Sequence, residues 1–375
     1  MSNYKYLRYI NRFSIIIILI LMGISLTVIS SVDPSLSSSG KTFFTPKSLM
    51  QLRHFILGWG IFCFFAVIDY NSLRNWALPI YIITIISLIG LFFTPAVQSV
   101  HRWYRLPLIG LSVQPSEYAK LVIVIMLSFF LDNKKYVISS WLTAGWAFII
   151  VCIPFYLILK EPDLGTALIL WLNALVVFYL AKIKPLLIRI LSCLGIVSAC
   201  VLLTVFLGVL PFDKVKPSAL KILKEYQYER LNPDNHHQRA SVTSIGIGGF
   251  SGQGWRSGEF AGRGWLPYSY TDSVFSAFGE EFGFIGLLFL ISLFYGLIYF
   301  GYKTTMVAKD DFGKLLSAGI TVYITMHVLI NISMMCGCLP ITGVPLILVS
   351  YGGSSVVATM SALGILQSIY SRRLF

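Results

Sequence analysis

The recurrence of long apolar segments from one end of the chain to the other limits its fold more than any other feature. One of them, FSIIIILILMGISLTVIS at residues 13–30, contains no charged residue. Charged residues make up 12% of the whole chain, against about 25% in soluble domains. Segments of this length span a bilayer as helices, whereas the strands of a membrane barrel alternate apolar and polar residues. The sequence therefore predicts an all-α polytopic membrane protein.

Ten apolar segments are long enough to be membrane spans, which predicts a single membrane domain over residues 1–375 with about ten transmembrane helices. A long polar loop at 210–273 separates the seventh span from the eighth. The predicted spans lie at about 13–31, 50–69, 76–94, 115–131, 140–158, 164–181, 186–209, 274–301, 314–336 and 346–370.

The basic residues between the spans predict the orientation of the chain. The two termini and the short connections on their side hold 12 Lys and Arg, whereas the short connections on the other side hold five. Short cytoplasmic segments carry the excess of positive charge, so both termini are expected to be cytoplasmic and the long loop to be outside. The net charge of +13 is then explained by orientation and anionic lipid, without a nucleic-acid partner.

The long loop is rich in glycine, which by itself is also typical of a flexible linker. Four aromatic residues are interleaved with the glycines, and they favour an ordered loop that folds back on the helix bundle. The aromatic residues are Trp255, Phe260, Trp265 and Tyr268, and the glycines are Gly246, Gly248, Gly249, Gly252, Gly254, Gly258, Gly262 and Gly264.

Polar residues near the outer ends of the spans are candidates for function, because polar groups are costly in a membrane. Arg102 and Arg105 lie on the outer side, and Glu117 and Lys120 share one face of the next span. These residues fit a cationic pocket for an anionic headgroup. An aromatic belt with a self-satisfied ion pair is the alternative.

Two further clusters have both a functional and a structural interpretation. Glu161 and Asp163 precede a span, where carboxylates also stabilise a helix N-terminus. Prolines and the Gly352-Gly353 pair interrupt the segment 339–360, which fits either a broken helix lining a cavity or close helix packing.

A fourth cluster places three carboxylates around the outer end of the eighth span. Asp272 precedes the span, and Glu280 and Glu281 lie about two turns deeper. Asp272 suits either catalysis at the membrane surface or an N-cap. At least one of the two glutamates is expected to form intramembrane hydrogen bonds, with the other lining a groove.

Taken together and in this order, the four clusters resemble the SEDS family (RodA, FtsW, SpoVE). The resemblance rests on RWYRLPLIGLSVQPSEYAKL, EPDLGTAL, LPYSYTDSVFSAFGEEFGFIG and LPITGVPLILVSYGGSS, and it covers nearly the whole chain. The last of these stretches and the short N-terminus look more like RodA. Tyr268 to Tyr270 depart from the family pattern, which has polar residues before the Thr-Asp pair.

The resemblance implies an inverting peptidoglycan glycosyltransferase that polymerises lipid II on the outer face of the bacterial cytoplasmic membrane during elongation or shape control. The implied partners are a class B penicillin-binding protein and the rod-shape (MreB) machinery. Asp272 matches the family's essential aspartate, and cations are needed at the leaving diphosphate, with or without a divalent ion such as Mg or Mn. A lipid II flippase and a non-catalytic scaffold for a transpeptidase are the alternatives. The expected substrate-binding residues are Arg102, Lys120, Glu117, Glu161, Asp163 and Arg239.

Overall fold

The computed structural model describes residues 8–33, 43–94, 102–106, 111–210, 212–220, 225–232 and 235–374. Within these ranges the chain forms fourteen α-helices and one small antiparallel sheet. The helices are α1 (Arg12–Ser31), α2 (Pro46–Val67), α3 (Ser72–Leu91), α4 (Pro115–Asn133), α5 (Trp141–Lys160), α6 (Leu164–Leu180), α7 (Pro185–Phe206), α8 (Phe212–Ala219), α9 (Glu225–Glu229), α10 (His236–Gly248), α11 (Glu259–Gly262), α12 (Val274–Val307), α13 (Asp311–Met335) and α14 (Gly353–Ser371). The strands are β1 (Tyr104–Leu106) and β2 (Leu111–Val113), with Arg105 paired to Ser112 in register.

The architecture confirms the predicted all-α membrane class. Seven of the described helices are long and apolar enough to cross a bilayer, namely α1, α2, α3, α5, α7, α12 and α13. The other three predicted spans correspond to α4, α6 and α14, of which α6 is a shorter apolar helix. The helix of the tenth predicted span begins at Gly353, seven residues after the predicted start at 346.

Helix α13 lies in the interior of the bundle, whereas α7 lies at its edge. In their most apolar windows, 72% of α13 but 6% of α7 is buried. Helices α2 and α14 pack closely through glycine, because a Cβ at Gly364 would lie 2.7 Å from the carbonyl oxygen of Phe62. Small residues allow this close approach between helices that are both surrounded by apolar groups.

The segment before α14 is non-helical and yet buried, with Leu346 and Val349 both fully inaccessible. Side chains from neighbouring helices bind its carbonyl groups. Ser25 Oγ donates to the carbonyl of Val349 (2.7 Å), and Gln51 Nε2 donates to that of Ser350 (3.3 Å). An irregular backbone is stable at membrane depth when protein groups satisfy it in this way.

Helix α12 is interrupted at Gly283, where the backbone is non-helical (φ 63°, ψ −165°). The interruption separates the carbonyls of Glu280 and Glu281 from the amides of Phe284 and Ile285, their usual partners four residues later. The glycine-rich loop replaces each lost partner. Gln253 N donates to Glu280 O (3.0 Å), Gly254 N to Glu281 O (2.9 Å), Phe284 N to Gly249 O (2.9 Å) and Ile285 N to Phe250 O (3.2 Å).

This backbone contact explains why the loop needs glycine. A Cβ at Gly252 would lie 2.2 Å from the carbonyl oxygen of Glu281, and one at Gly248 would lie 2.1 Å from that of Gly279. The prediction of an ordered, folded-back loop is therefore confirmed for the glycine-rich stretch. The flexible-linker interpretation of these glycines is wrong.

Candidate functional site

The backbone around Asp272 is fixed by three consecutive hydrogen bonds to its carbonyl groups. The carbonyls of Tyr270, Thr271 and Asp272 each accept one bond from the interior of the bundle. The donors are, in that order, Tyr351 N (2.9 Å), Ser350 Oγ (2.6 Å) and Asn331 Nδ2 (2.9 Å). The irregular segment before α14 and helix α13 therefore hold the aspartate backbone in place.

Asp272 is not the cap of helix α12, so that interpretation is wrong. The cap position is Ser273, and its side chain makes no capping hydrogen bond. Ser273 Oγ instead donates to the carbonyl of Pro267 (2.9 Å) and lies 2.6 Å from His237 Nε2. The carboxylate of Asp272 therefore does not cap helix α12.

The carboxylate of Asp272 lies beside Arg230. The position of a Cβ built on Gly343 is 3.5 Å from Asp272 Oδ2 and 3.6 Å from Arg230 Nη1, so both groups lie over this glycine. Arg230 Nη1 also donates to the carbonyl of Thr342 (3.1 Å). Gly343 has a φ of 81°, a conformation that favours glycine.

Burial raises the pKa of Asp272 to about 6, and the nearby charge of Asp163 acts in the same direction. The charges of Arg230 and Arg102 lower this pKa. Near neutral pH the carboxylate is therefore mostly ionised, but it holds a proton more readily than an exposed aspartate. This combination suits a group that accepts a proton during a reaction.

The turn between α5 and α6 brings Glu161, Asp163 and Arg102 to the same region. Arg102 Nε donates to the carbonyl of Glu161 (2.8 Å), and Arg102 Nη2 donates to that of Pro162. The following Gly165 packs against the segment that carries Gly343, since a Cβ there would lie 3.1 Å from Thr342 O. The two clusters that the sequence identified separately are therefore neighbours of Asp272.

Asp163 and Glu161 differ in their hydrogen bonding. Asp163 caps α6, accepting from Thr166 N (3.3 Å) and Thr166 Oγ1 (3.0 Å), and it also accepts from Gln114 Nε2 (3.2 Å). The capping alternative for Asp163 is confirmed. Both carboxyl oxygens of Glu161 are buried without a hydrogen-bond partner among the described residues. Burial, with the charge of Asp163, raises the pKa of Glu161 to about 8, so this carboxyl is mostly protonated at neutral pH.

Lys120 and Glu117 are inside the bundle, not on the accessible surface. Lys120 Nζ lies 2.8 Å from Glu117 Oε1 and 2.8 Å from His327 Nε2, and its side chain has no exposed area. The His327 ring also contacts the carbonyl of Pro345 through Nδ1 (3.3 Å). This geometry favours the ion-pair alternative over direct contact of Lys120 with a headgroup.

Sequence reasoning missed a polar face on helix α13. Tyr323, His327 and Asn331 are spaced four residues apart, so they lie along one side of the helix, and all three are buried. Asn331 Nδ2 binds the carbonyls of both Asp272 and Val344 (2.8 Å to the latter). The signal was available, because a histidine and an asparagine in an apolar span are functional candidates.

Sequence reasoning also missed His237. This histidine lies in the long polar loop, where a polar residue is not conspicuous. Its ring lies against Ser273 as described above, next to Asp272. Burial is the main cause that lowers the pKa of His237 to about 4, and the charges of Arg230 and His236 add to the effect. The imidazole is therefore neutral at physiological pH.

Arg239 is one of the predicted substrate-binding residues. It lines a cavity of about 520 Å³ that does not include Asp272. The cationic neighbours that act on the pKa of Asp272 are Arg230 and Arg102. Arg230 is therefore a cationic neighbour of Asp272 that sequence reasoning missed.

Glu280 and Glu281 are both buried, so neither lines a groove. Glu280 accepts from the backbone amides of Phe260 (2.7 Å) and Ala261 (3.1 Å). Glu281 accepts from the amide of Arg256 (3.1 Å). Both carboxylates thus hold the outer loop on helix α12. Among the described residues, no group of three or more His, Cys, Asp or Glu is placed to hold a metal ion.

Sequence comparison places the chain next to proteins of known family. The family model of FtsW, RodA and SpoVE, described as "Cell cycle protein", matches residues 11–373. "Peptidoglycan glycosyltransferase MrdB" of Escherichia coli K12 is 31% identical over 334 residues, which cover 86% of this chain and 85% of the relative. "Probable peptidoglycan glycosyltransferase FtsW" of Trichlorobacter lovleyi is 32% identical over 310 residues, covering 80% and 77%.

Solved structures share the fold. A chain from a peptidoglycan synthase complex that coordinates polymerization and crosslinking aligns with a TM-score of 0.77 at 22% identity, covering 97% of this chain and 98% of that one. The rod shape determining protein RodA of Thermus thermophilus aligns with a TM-score of 0.71 at 21% identity, covering 98% of each chain.

Proposed function

This chain belongs to the FtsW/RodA/SpoVE family, and we propose that it is a peptidoglycan glycosyltransferase that polymerises lipid II on the outer face of the bacterial cytoplasmic membrane. Relatives at 31–32% identity carry the name peptidoglycan glycosyltransferase. The observation that carries the proposal is the carboxylate of Asp272, on a backbone that hydrogen bonds hold in place, with Arg230 beside it over Gly343.

Lipid II is a disaccharide-pentapeptide on a polyprenyl diphosphate. Asp272 takes the proton of the acceptor 4-hydroxyl, whose oxygen forms a bond to the donor anomeric carbon. The bond from that carbon to the donor diphosphate breaks, and its electron pair leaves with the diphosphate. One displacement converts the α linkage into a β linkage, so a single carboxylate base is sufficient.

Arg230 and Arg102 bind the departing diphosphate. The position of Arg230 over Gly343 with the carboxylate of Asp272, and that of Arg102 at the neighbouring turn of Glu161, support this role. Cations aimed at developing negative charge lower the barrier of such a displacement. A diphosphate leaves without a proton, so no second carboxylic acid is required at this step.

Glu161 contributes a hydrogen-bond donor to the bound sugar or diphosphate. Its raised pKa keeps the carboxyl protonated, and its oxygens lack partners among the described residues, which supports a role toward a ligand. Asp163 positions the turn through its cap. Lys120, Glu117 and His327 act as positioning residues, since their network reaches the carbonyl of Pro345 in the segment that holds Asp272.

A class B penicillin-binding protein is the proposed partner, and the synthase complex among the structural neighbours supports it. The rod-shape (MreB) machinery is a further proposed partner. We also propose that both termini are cytoplasmic and that the loop at 210–273 faces outward, from the distribution of Lys and Arg.

The test is polymerisation of lipid II by the purified protein in detergent, with and without the partner transpeptidase. Glycan strands formed in detergent support a polymerase, because a flippase has no second compartment there and a scaffold makes no product. Glu259→Gln is the matched control for Asp272→Asn, since it removes the same charge from an exposed position of the same loop. Wild-type protein that is folded and yet makes no glycan with the partner present contradicts the proposal.

A further inference from the structure

Helix α14 begins without a cap at the half-buried Gly352-Gly353 pair. The first amides of a helix have no acceptors within the helix, and no side chain among the described residues caps these. The glycines leave this end open, because a Cβ at Gly352 would meet no atom closer than 3.9 Å. By itself this start is not a ligand site, since water can satisfy its amides.

A buried histidine points at the same place. His54 on α2 is 6% exposed, and its Nε2 is the atom nearest to a Cβ built on Gly353, at 3.0 Å. Within the part of the chain that the structure describes, this Nε2 has no hydrogen-bond partner. A buried polar atom without a protein partner requires a ligand or a water molecule.

Hydrogen bonds to Gln51 determine which nitrogen of His54 carries the proton. Gln51 Nε2 donates to the carbonyl of Ser350 (3.3 Å), so Gln51 Oε1 is the accepting end, and it accepts from Gly352 N (3.2 Å). His54 Nδ1 lies 3.4 Å from the same Oε1 and is therefore the protonated nitrogen. In the neutral ring, Nε2 is then a hydrogen-bond acceptor beside the amide donors of α14.

An acceptor beside a row of donors is complementary to a secondary amide, which has one group of each kind. The carbonyl of such an amide accepts from the first N–H groups of α14, and its N–H donates to His54 Nε2. An anion fits less well, because the lone pair of Nε2 repels it. Both sugars of lipid II carry a secondary amide, as an N-acetyl group at C2. We propose that His54 Nε2 and the first amides of α14 form an N-acetyl site for a lipid II sugar, an inference that rests on the proposed function.

The N-acetyl site is adjacent to the segment that carries Asp272. The ring centroid of Tyr351 lies 5.8 Å from that of His54 and 5.9 Å from that of Tyr270. Tyr351 N also donates to the carbonyl of Tyr270 (2.9 Å), two residues before the aspartate. A sugar that is held by its N-acetyl group is thus next to the group that accepts the proton.

The same helix start also contacts the turn between α5 and α6. Gln114 N donates to Ser354 Oγ (3.1 Å) in the first turn of α14, and Gln114 Nε2 donates to Asp163 (3.2 Å). The start of α14 therefore joins the segment of Asp272 to the cluster of Asp163, so the N-acetyl site belongs to the same region as the proposed reaction.

Binding to this site is measured without catalysis, by saturation-transfer NMR of soluble sugars with the purified protein in detergent. N,N′-diacetylchitobiose and cellobiose are matched probes, because they differ only in having N-acetyl or hydroxyl groups at C2. Wild-type protein should bind cellobiose about 3- to 10-fold more weakly, which corresponds to the loss of one neutral hydrogen bond. Equal binding of the two sugars overturns the proposal, and this comparison needs no variant.

Substitutions then identify the groups that bind. His54→Phe keeps an aromatic ring but removes the acceptor, so it should weaken binding of diacetylchitobiose about 3- to 10-fold. His54→Gln can offer its amide oxygen in place of Nε2 and should restore most of the affinity. Gly353→Ala should abolish binding, because its methyl group would lie 3.0 Å from Nε2, in the place of the ligand. Arg53→Gln, at the exposed neighbouring position of α2, is the control and should bind as wild type does. Unchanged affinity of His54→Phe contradicts the assignment.

Two further probes test other ligands. Alanyl-alanine supplies a secondary amide without a sugar, and binding of this dipeptide in preference to diacetylchitobiose assigns the site to the stem peptide and overturns the proposal. Inorganic phosphate that displaces the sugar identifies an anion site at the helix start and overturns it as well.

The outcome separates this inference from the proposed function. Polymerisation of lipid II by a protein that does not distinguish the two sugars overturns the inference and leaves the function intact. Binding of diacetylchitobiose that depends on His54, without polymerisation, supports the N-acetyl site even though the function fails.

Discussion

Asp272→Asn should remove the activity and at the same time stabilise the fold. Asparagine has nearly the same size as aspartate, and the three hydrogen bonds that fix this segment involve backbone carbonyls, so they remain. The amide cannot accept the proton of the acceptor hydroxyl. Loss of a positioned base lowers the rate by a factor on the order of 10²–10⁴.

The gain in stability follows from the pKa of Asp272, which rises in the fold from an ordinary value of 3.8 to about 6. One pKa unit corresponds to about 1.4 kcal/mol, so the ionised carboxylate lowers the free energy of unfolding by about 3 kcal/mol. The folded state binds the proton more tightly than the unfolded chain does. The penalty is therefore absent below pH 3.8, grows as the pH rises and is complete above about pH 6.

The assays are lipid II polymerisation and thermal or denaturant unfolding of the purified protein at pH 8 and pH 4.5, with Glu259→Gln as the control. The variant should unfold at a higher temperature than wild type at pH 8, and the difference should shrink at pH 4.5. In the wild type, the polymerisation rate should rise through about pH 6 to a plateau, as the carboxylate ionises.

Two results would refute this reasoning. Near wild-type polymerisation by Asp272→Asn means that this carboxylate is not the base. A loss of stability at pH 8 means that the carboxylate is a structural partner of Arg230, since removing one member of such a pair leaves the other charge unsatisfied.

Arg230→Gln should lower kcat/KM for lipid II about 10- to 100-fold, because a charged hydrogen bond contributes about 1.5–3 kcal/mol; an unchanged value removes this residue from the diphosphate site. Gly343→Ala should reduce polymerisation, and it should lower the free energy of unfolding by about 1–2 kcal/mol because alanine is strained at a φ of 81°. A fully active and equally stable variant contradicts the placement of Asp272 and Arg230 over this glycine. Lys120→Ala should lower the free energy of unfolding by about 3–5 kcal/mol, and adding Glu117→Ala should restore most of it, as measured by denaturant unfolding. If the double variant is less stable than the single one, the buried pair is not the main role. A cysteine at Ser257, in a variant without native cysteines, should react with an impermeant thiol reagent in intact cells. Labelling that occurs only in lysed cells contradicts the predicted outward orientation of the loop.

The sequence by itself determined the class of fold and much of the chemistry. A bilayer requires long uninterrupted apolar segments, and this requirement is local, so the spans can be located without knowledge of their packing. The pairing of Glu117 with Lys120 and the cap at Asp163 are also local. In each case the two partners are three residues apart in the sequence, so the helix itself brings them together. Asp272 was identified through the motif around it.

The tertiary structure alone decided which distant residues meet. The sequence offered several arginines in the loop, and the path of the chain brought Arg230 and not Arg239 to Asp272. The tertiary structure also brought the backbone of the glycine-rich loop to the interruption of α12 at Gly283, and it brought the side chain of Asn331 to the carbonyl of Asp272. No local pattern encodes such contacts, because the distance between residues far apart in the chain is set by the packing of the helices between them.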